Sequence, residues 1–140
     1  MVGTAAGLVV ALVDGDVTVA IGVVLAMGLK LVVERVVRKE MADYLTVRQR
    51  PGTSEVGAVL RGGDVPASGP SFPSGHVILV AAVGSVVAAN VPPAWWWVPA
   101  VLVVLVMLGR VYVGAHNPLD VTAGLGAGLL LGGLVAVVVN

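Results

Sequence analysis

The chain has 140 residues, of which 58% are hydrophobic and only 11% are charged, and its mean hydropathy is +1.02. An average soluble domain has about 25% charged residues, so this composition excludes an ordinary soluble domain and indicates an integral membrane protein. The formal net charge is zero and there is no cysteine, which argues against a nucleic-acid partner and excludes disulfides and cysteine metal ligands.

Apolar runs separated by turn and loop residues predict the first helices. Residues 2–13 form a run shorter than the roughly 20 residues that cross a bilayer, and it ends at an Asp-Gly-Asp turn at 14–16. The next run, residues 17–33, is interrupted only by Lys30, and its helix can continue into the charged stretch that follows. Residues 46–73 are rich in glycine, proline, serine and charge, which predicts a polar loop.

Three further apolar helices are predicted after this loop, at residues 75–91, 94–108 and 118–139. Two prolines break the first of them, and the three tryptophans at 95–97 suit an interfacial aromatic belt. The sequence therefore predicts an all-α transmembrane bundle with four good membrane helices and one short one. The short first helix suggests that residues 1–140 are a single domain that is truncated at its N-terminus or belongs to a longer membrane protein.

Glycine recurs every four residues in the last predicted helix, at Gly124, Gly128 and Gly132. Small residues at this spacing let a neighbouring helix approach closely. The regular spacing favours a packing face over flexible filler, and this face carries no chemistry.

The polar residues that look functional can gather at one face of the bundle. An up-and-down bundle places two helix ends and two helix starts on the same face. The residues that can converge there are Arg48, Arg50, Ser74, His76, Arg110, His116 and Asp120. Ionisable groups are costly to bury in or near a bilayer, so each of them needs a reason to be there.

Asn117 and Pro118 are typical of a helix start, and they place Asp120 in the first helical turn. From there Asp120 can reach back to His116. A carboxylate bonded to one imidazole nitrogen leaves the other nitrogen free and electron-rich, which makes a basic or nucleophilic histidine. A capping aspartate beside a bystander histidine explains these residues equally well when they are taken alone.

A second helix start lies at Pro-Ser-Gly-His, residues 73–76. Ser74 can cap this helix, Gly75 lets a ligand approach the backbone, and the exposed amides of a helix start bind phosphate. His76 follows in the first turn. An ordinary capped helix with an interfacial histidine is the alternative interpretation.

Three arginines that face one spot, Arg48, Arg50 and Arg110, favour a multiply charged anion, because guanidinium forks match phosphate oxygens in pairs. A solvated or headgroup-facing loop explains Arg48 and Arg50 about equally well. It explains Arg110 less well, because a long apolar helix directly precedes that residue.

Together these residues resemble the type 2 phosphatidic acid phosphatase (PAP2) superfamily. Its three motifs are Lys, six residues, Arg-Pro; then Pro-Ser-Gly-His; then Ser-Arg, five residues, His, three residues, Asp. The second motif is complete at residues 73–76. The third matches at Arg110, His116 and Asp120, with Gly109 in place of the serine.

The first motif matches only at its end, through Arg50 and Pro51. Asp43 stands at the position of its lysine, and Lys39, one helical turn earlier on the same face, is expected to substitute. The resemblance covers residues from about 30 to 140.

The resemblance implies a mechanism in which His116 attacks phosphorus and forms a phosphohistidine while Asp120 orients it. His76 protonates the leaving alkoxide, and water then hydrolyses the intermediate. The phosphate ligands that the resemblance implies are Arg110, Arg50, Arg48 or Lys39, Ser74 and Gly75. Phosphoryl transfer needs mostly positioning and charge stabilisation, which arginines can supply, so neither a metal ion nor another cofactor is expected.

The expected function is hydrolysis of membrane lipid phosphates or diphosphates, of the phosphatidate or polyprenyl type. Haloperoxidases and soluble acid phosphatases are disfavoured within the superfamily, because the chain is nearly all membrane helix. The alternative is a non-catalytic domain that binds phospholipid or helps a larger protein assemble, although a binder needs neither His76 nor His116. A transporter fits poorly, because the polar residues cluster at helix ends and not at mid-membrane.

Two expectations conflict on which membrane face bears the site. Arg35, Arg38 and Lys39 lie on its side of the bundle, so the positive-inside rule places it in the cytoplasm. The bacterial enzymes that the chain resembles generally face outward. Since Arg50 and Arg110 are there for phosphate, they are poor evidence for topology. Arg35, Arg38 and Lys39 still favour the cytoplasm, so it is on the resemblance alone that we expect a bacterial plasma-membrane protein with an extracytoplasmic site.

Overall fold

A computed structural model of the chain describes residues 16–40, 49–61, 65 and 70–140. These residues form helices and connecting turns without a strand, which confirms the all-α prediction. The short helix predicted at residues 2–13 lies outside the described residues.

The helices are α1 (Asp16–Glu40), α2 (Pro51–Ser54), α3 (Gly75–Ala89), α4 (Trp97–Tyr112) and α5 (Pro118–Val139), with a 3-10 turn (Pro93–Trp95) before α4. Helix α1, helix α5, and α4 together with its 3-10 turn are each long and apolar enough to cross a membrane. The chain is therefore an integral membrane protein.

The boundaries of α1 and α4 differ from the predicted ones. Helix α1 begins at Asp16, inside the predicted turn. Helix α4 begins at Trp97 and continues to Tyr112, four residues beyond the predicted end. Arg110 therefore lies in the last turn of α4, and the helical backbone fixes the position from which its side chain extends.

Helix α3 corrects the prediction of four membrane-spanning helices, because only three of the described helices are long enough. Its 15 residues rise about 22 Å, less than the roughly 30 Å of the hydrocarbon core. The helix stops at Asn90, whose side chain donates to the carbonyl oxygen of Val86 at 2.9 Å. Helix α3 packs against α1, α4 and α5, so it is the central helix of the bundle.

The tightest packing in the bundle is between α3 and α5. A methyl group built on Gly124 would lie 2.9 Å from the carbonyl oxygen of Ser74, and one on Gly128 would lie 2.6 Å from that of Ile78. The backbone N–H of Ser74 also donates to the carbonyl oxygen of Asp120 at 3.1 Å. The predicted glycine face is thus confirmed, and it sets the starts of α3 and α5 side by side.

We predict that Gly128→Ala lowers the thermal unfolding midpoint of the protein in detergent. The added methyl group meets backbone and side-chain atoms of α3 at 2.6 Å, and overpacking of this kind costs about 1–3 kcal/mol. Gly133→Ala is the matched control on the same helix, because no atom outside the helix's own backbone and neighbouring residues lies within 4 Å of its added methyl group. Equal midpoints for the two variants would contradict the glycine-mediated packing.

Candidate active site

A cavity of about 300 Å³ lies where α3 begins. Its walls are formed by Lys30, Glu34, Arg38, Arg50, Gly75, His76, Leu79, Arg110 and His116. Five of the predicted site residues therefore meet in one space: both histidines, two arginines and Gly75. They come from parts of the chain that are far apart in sequence, as the bundle topology predicts.

The other predicted site residues lie elsewhere. Ser74 and Asp120 are fully buried beside the cavity, at the starts of α3 and α5. Arg48 lies outside the described residues. Lys39 is exposed on α1 and does not line the cavity, whereas Arg38 does. Successive residues of a helix point about 100° apart, so the two side chains cannot face the same way. The structure thus does not bring Lys39 to the site.

The backbone ties His116 to Arg110. The N–H groups of Ala115 and His116 both donate to the carbonyl oxygen of Arg110, at 3.2 and 3.3 Å. The chain turns back on itself here and enters α5 at Pro118. Arg110 and His116 are six positions apart because the turn between them has this length. The turn places both side chains at the same cavity.

One nitrogen of the His116 ring is occupied by a backbone group. Nδ1 lies 2.7 Å from the carbonyl oxygen of Ser71, and the side chain is only 5% exposed. A carbonyl oxygen can only accept a hydrogen bond, so the proton of a neutral ring is on Nδ1. Nε2 then carries the lone pair, which is the arrangement a nucleophilic histidine requires.

The Asp120 side chain makes the helix cap, which is one of the two interpretations that the sequence leaves open. Its Oδ2 accepts a hydrogen bond from the backbone N–H of Asn117 at 2.8 Å, which caps α5. The distance from Oδ2 to Nδ1 of His116 is 3.9 Å, longer than a hydrogen bond. Asp120 therefore acts on His116 through its charge, and the Ser71 carbonyl takes the hydrogen bond expected of the carboxylate. The sequence gives no signal for that carbonyl.

Burial lowers the pKa of His116 to about 4. The hydrogen bond to Ser71 and the negative charge of Asp120 act in the opposite direction, and the positive charges of Arg110 and Arg50 add to the lowering. The imidazole is accordingly neutral at pH 7. A neutral ring with a free Nε2 can attack an electrophile without first losing a proton.

Ser74 occupies the N-cap position of α3, but its hydroxyl makes no capping hydrogen bond. Its Oγ is buried without a hydrogen-bond partner among the described residues. The predicted cap is therefore wrong, and it is the backbone N–H of Ser74 that links the starts of the two helices. Such a buried hydroxyl is destabilising unless a ligand or another group bonds it.

Residues 49–61 reach the site because they dock on the turn after α4. The N–H of Gly52 donates to the carbonyl oxygen of Gly114, and the N–H of Arg61 donates to that of Val113, both at 2.9 Å. The guanidinium of Arg61 lies 5.0 Å from the centre of the Tyr112 ring, within cation–π range, and Nη1 donates to the carbonyl oxygen of Tyr112. This docking holds Arg50 over the cavity.

Positive charges converge on Arg50. Its pKa is lowered by burial and by the positive charges of Arg110 and Arg38, and its Nε is buried without a hydrogen-bond partner among the described residues. Like charges brought together in a poorly solvated space repel, and a bound anion relieves the repulsion. The arrangement suits an anion with several oxygens, such as a phosphoryl group.

The cavity has three charged residues of α1 that sequence reasoning missed: Lys30, Glu34 and Arg38. Glu34 forms ion pairs with both of its neighbours, from Oε2 to Lys30 and from Oε1 to Arg38, each at 2.5 Å. Charged residues four apart in an otherwise apolar helix were the available signal, because they mark one face. In the described part of the chain, no group of three His, Asp or Glu residues is placed to hold a metal ion.

Comparison with known proteins agrees with the geometry. The family model described as PAP2 superfamily matches residues 17–140. A protein of Sulfolobus acidocaldarius named undecaprenyl-diphosphatase is 46% identical over 55 residues, which are 39% of this chain and 26% of that protein. The chain thus spans about a quarter of that relative's length. No solved structure matches the chain.

We predict that Gly114→Ala releases residues 49–61 from the turn after α4. Gly114 has φ of +74°, and a methyl group on it would lie 2.8 Å from the carbonyl oxygen of Val59. Gly57→Ala is the matched control, because its φ is +83° but its added methyl group meets nothing within 4 Å. Tryptic cleavage after Arg61, followed by mass spectrometry, should be faster in Gly114→Ala than in Gly57→Ala. Equal rates would show that the docking does not depend on Gly114.

Proposed function

This chain belongs to the PAP2 superfamily, and we propose that it is a membrane phosphatase that hydrolyses lipid phosphate monoesters or diphosphates, of the phosphatidate or polyprenyl type. The observation that carries the proposal is the neutral His116 in one cavity with Arg50 and Arg110, within a bundle of membrane-length helices. The name of the Sulfolobus relative supports a diphosphate as one substrate.

In the proposed reaction, Nε2 of His116 attacks phosphorus and forms a phosphohistidine. The ring gains positive charge in this step, which strengthens the hydrogen bond from Nδ1 to the Ser71 carbonyl at 2.7 Å. The charge of Asp120, 3.9 Å away, stabilises the same state. Arg50 and Arg110 bind the equatorial oxygens, where charge accumulates in the transition state.

His76 is proposed as the acid that protonates the leaving oxygen and as the base for the water that follows. It lines the cavity from the first turn of α3, and it is exposed, so protons can exchange with it. Gly75 and Ser74 remain proposed phosphate ligands through the amide groups and the buried hydroxyl at this helix start. Arg48 remains a prediction, whereas the position of Lys39 supports no role for it.

The proposed reaction proceeds without a metal ion, because guanidinium groups supply the positive charge. A cavity of about 300 Å³ is at the small end of ligand pockets, which span roughly 300–1,000 Å³. It fits a phosphorylated headgroup and leaves the hydrocarbon chain in the surrounding bilayer. The extracytoplasmic orientation of the site and a bacterial plasma membrane remain predictions.

We predict that the purified protein hydrolyses lipid phosphates in mixed micelles and that His116→Gln lowers the rate by roughly a thousandfold or more, since the nucleophile is lost. His76→Gln should slow alkyl phosphates by about a hundredfold or more but aryl phosphates less, because a good leaving group needs no acid. Phosphate release measures both effects, with EDTA present throughout.

Three results would count against this assignment. Equal, small losses in the two histidine variants would remove both proposed roles. A strict requirement for magnesium would replace the arginine-based mechanism. Phospholipid binding with no turnover of any lipid phosphate would favour the non-catalytic alternative.

We predict that, on the acidic side of its pH profile, kcat/KM of the wild type falls as the pH approaches 4, because attack requires neutral His116 and its pKa is about 4. Arg50→Gln removes one of the positive charges that lower this pKa, so the acidic limb should move to higher pH. Arg35→Gln is the control, since it removes a positive charge from an exposed side chain of α1 that does not line the cavity. All pH profiles are measured with the same substrate, so the ionisation of the substrate affects each of them equally. An unmoved limb in Arg50→Gln would contradict the electrostatic link.

A further inference from the structure

The proposed reaction gives no role to the three charged residues of α1 that line the cavity. Lys30, Glu34 and Arg38 are spaced at four-residue intervals and line the cavity from one face of the helix. The side chains of Lys30 and Glu34 are only 17% and 14% exposed, although both lie in a helix that is otherwise apolar enough to cross a membrane. Ionisable residues in such a place are costly and are usually functional.

The carboxylate of Glu34 lies against the start of α3. A methyl group built on Gly75 would lie 2.8 Å from Oε2 and 2.9 Å from Oε1 of Glu34. The carboxylate therefore rests on the backbone of Gly75, at a position where any larger side chain would displace it. The two cations bonded to Glu34 are consequently held at the level of the first turn of α3, next to His76.

The cations of the cavity form two zones. Arg110 and Arg50 act electrostatically on His116, and Arg38 acts in turn on Arg50. The near zone, Arg50 and Arg110, thus lies at the nucleophile. The far zone, Lys30 and Arg38, lies on the α1 wall of the same cavity. Both zones face one cavity of about 300 Å³, which is the volume available to a ligand with two linked phosphoryl groups.

We propose that Glu34 is a positioning residue that holds Lys30 and Arg38 at the cavity wall, where they bind the second phosphoryl group of a lipid diphosphate. This inference rests on the proposed function and specifies its substrate class. The bond from Nε2 of His116 to the terminal phosphorus forms while the bridging P–O bond breaks. Lipid monophosphate leaves with the electron pair of that bond, and Lys30 and Arg38 stabilise its added negative charge.

A carboxylate by itself repels phosphate, so its presence in an anion site is explained by the two cations that it holds in place. Lysine and arginine side chains have many rotamers, and fixing them costs free energy when a ligand binds. Glu34 has already fixed both, through two short ion pairs. The gain in preorganisation offsets the repulsion, provided that the ligand uses both cations.

The test compares Glu34→Gln, Lys30→Met and Arg38→Gln in the full chain, with Glu40→Gln and Arg35→Gln as exposed controls on the same helix. Each α1 cavity variant should lower kcat/KM for a polyprenyl diphosphate roughly tenfold, as expected for loss of one charged hydrogen bond. The loss for the polyprenyl monophosphate should be less than about threefold, because that substrate lacks the second phosphoryl group. The controls should leave both values unchanged.

A binding measurement separates this inference from the proposed function. Methylenediphosphonate, which resists hydrolysis, should bind the wild type more tightly than inorganic phosphate in calorimetric titrations. Glu34→Gln should abolish most of that preference. If the wild type hydrolyses no lipid phosphate, the proposed function fails, and the binding preference still decides the role of the far zone.

Other results would overturn the inference. Equal losses on monophosphate and diphosphate would give Glu34 a general structural role. Faster turnover in Glu34→Gln would show that the carboxylate only repels phosphate. If Glu34→Gln does not fold, as judged by its unfolding midpoint in detergent, Lys30→Met and Arg38→Gln provide the same comparison, and an unchanged preference for the diphosphonate in both would refute the proposal.

Discussion

The close approach of α3 and α5 is the constraint on which the site depends. Glycines on α5 let its backbone touch that of α3, and the hydrogen bond from Ser74 to Asp120 fixes the two helix starts side by side. Both helices then direct the positive ends of their dipoles to the same region. His76 belongs to the first turn of one helix and His116 precedes the other, so the packing that joins the helices also places the two histidines at one cavity.

Burial has two linked effects at this cavity. It lowers the pKa of His116, which keeps the ring neutral and its Nε2 available at pH 7. It also makes the nearby guanidinium groups poorly solvated, so that they interact more strongly with an anion than they would in water. The same low-dielectric surroundings therefore keep the proposed nucleophile neutral and favour the binding of an anion. Moving Arg50 away would weaken both effects, so the docking of residues 49–61 belongs to the proposed mechanism.

The sequence predicted the all-α bundle and the convergence of His76, His116, Arg50 and Arg110, because apolar runs and motif order determine which helix ends share a face. It did not predict the partner of His116, since the Ser71 carbonyl belongs to the backbone and any residue there would provide it. The prediction for Lys39 extrapolates the position of the missing lysine along the helix from Asp43, whereas the basic residue that lines the cavity is its neighbour Arg38. Which of two adjacent residues faces the cavity depends on the rotation of α1 about its axis. The packing of Glu34 against Gly75 sets that rotation. The length of α3 was overestimated because an apolar run continues through Val91 although the Asn90 side chain ends the helix.

The shortness of α3 explains how so many charges can act within a membrane bundle. Helix α1 continues six residues beyond Glu34, or about 9 Å, whereas α3 begins at the level of Glu34. The start of α3 is therefore recessed relative to the end of α1, and the cavity lies beside that start. A helix start at the outer surface would expose the same residues to bulk water, where screening weakens each ion pair and each phosphate contact. Recessing the start keeps Lys30, Glu34 and Arg50 in a partly desolvated space, which is the proposed site of the headgroup, while α1, α4 and α5 retain the length needed to span the bilayer.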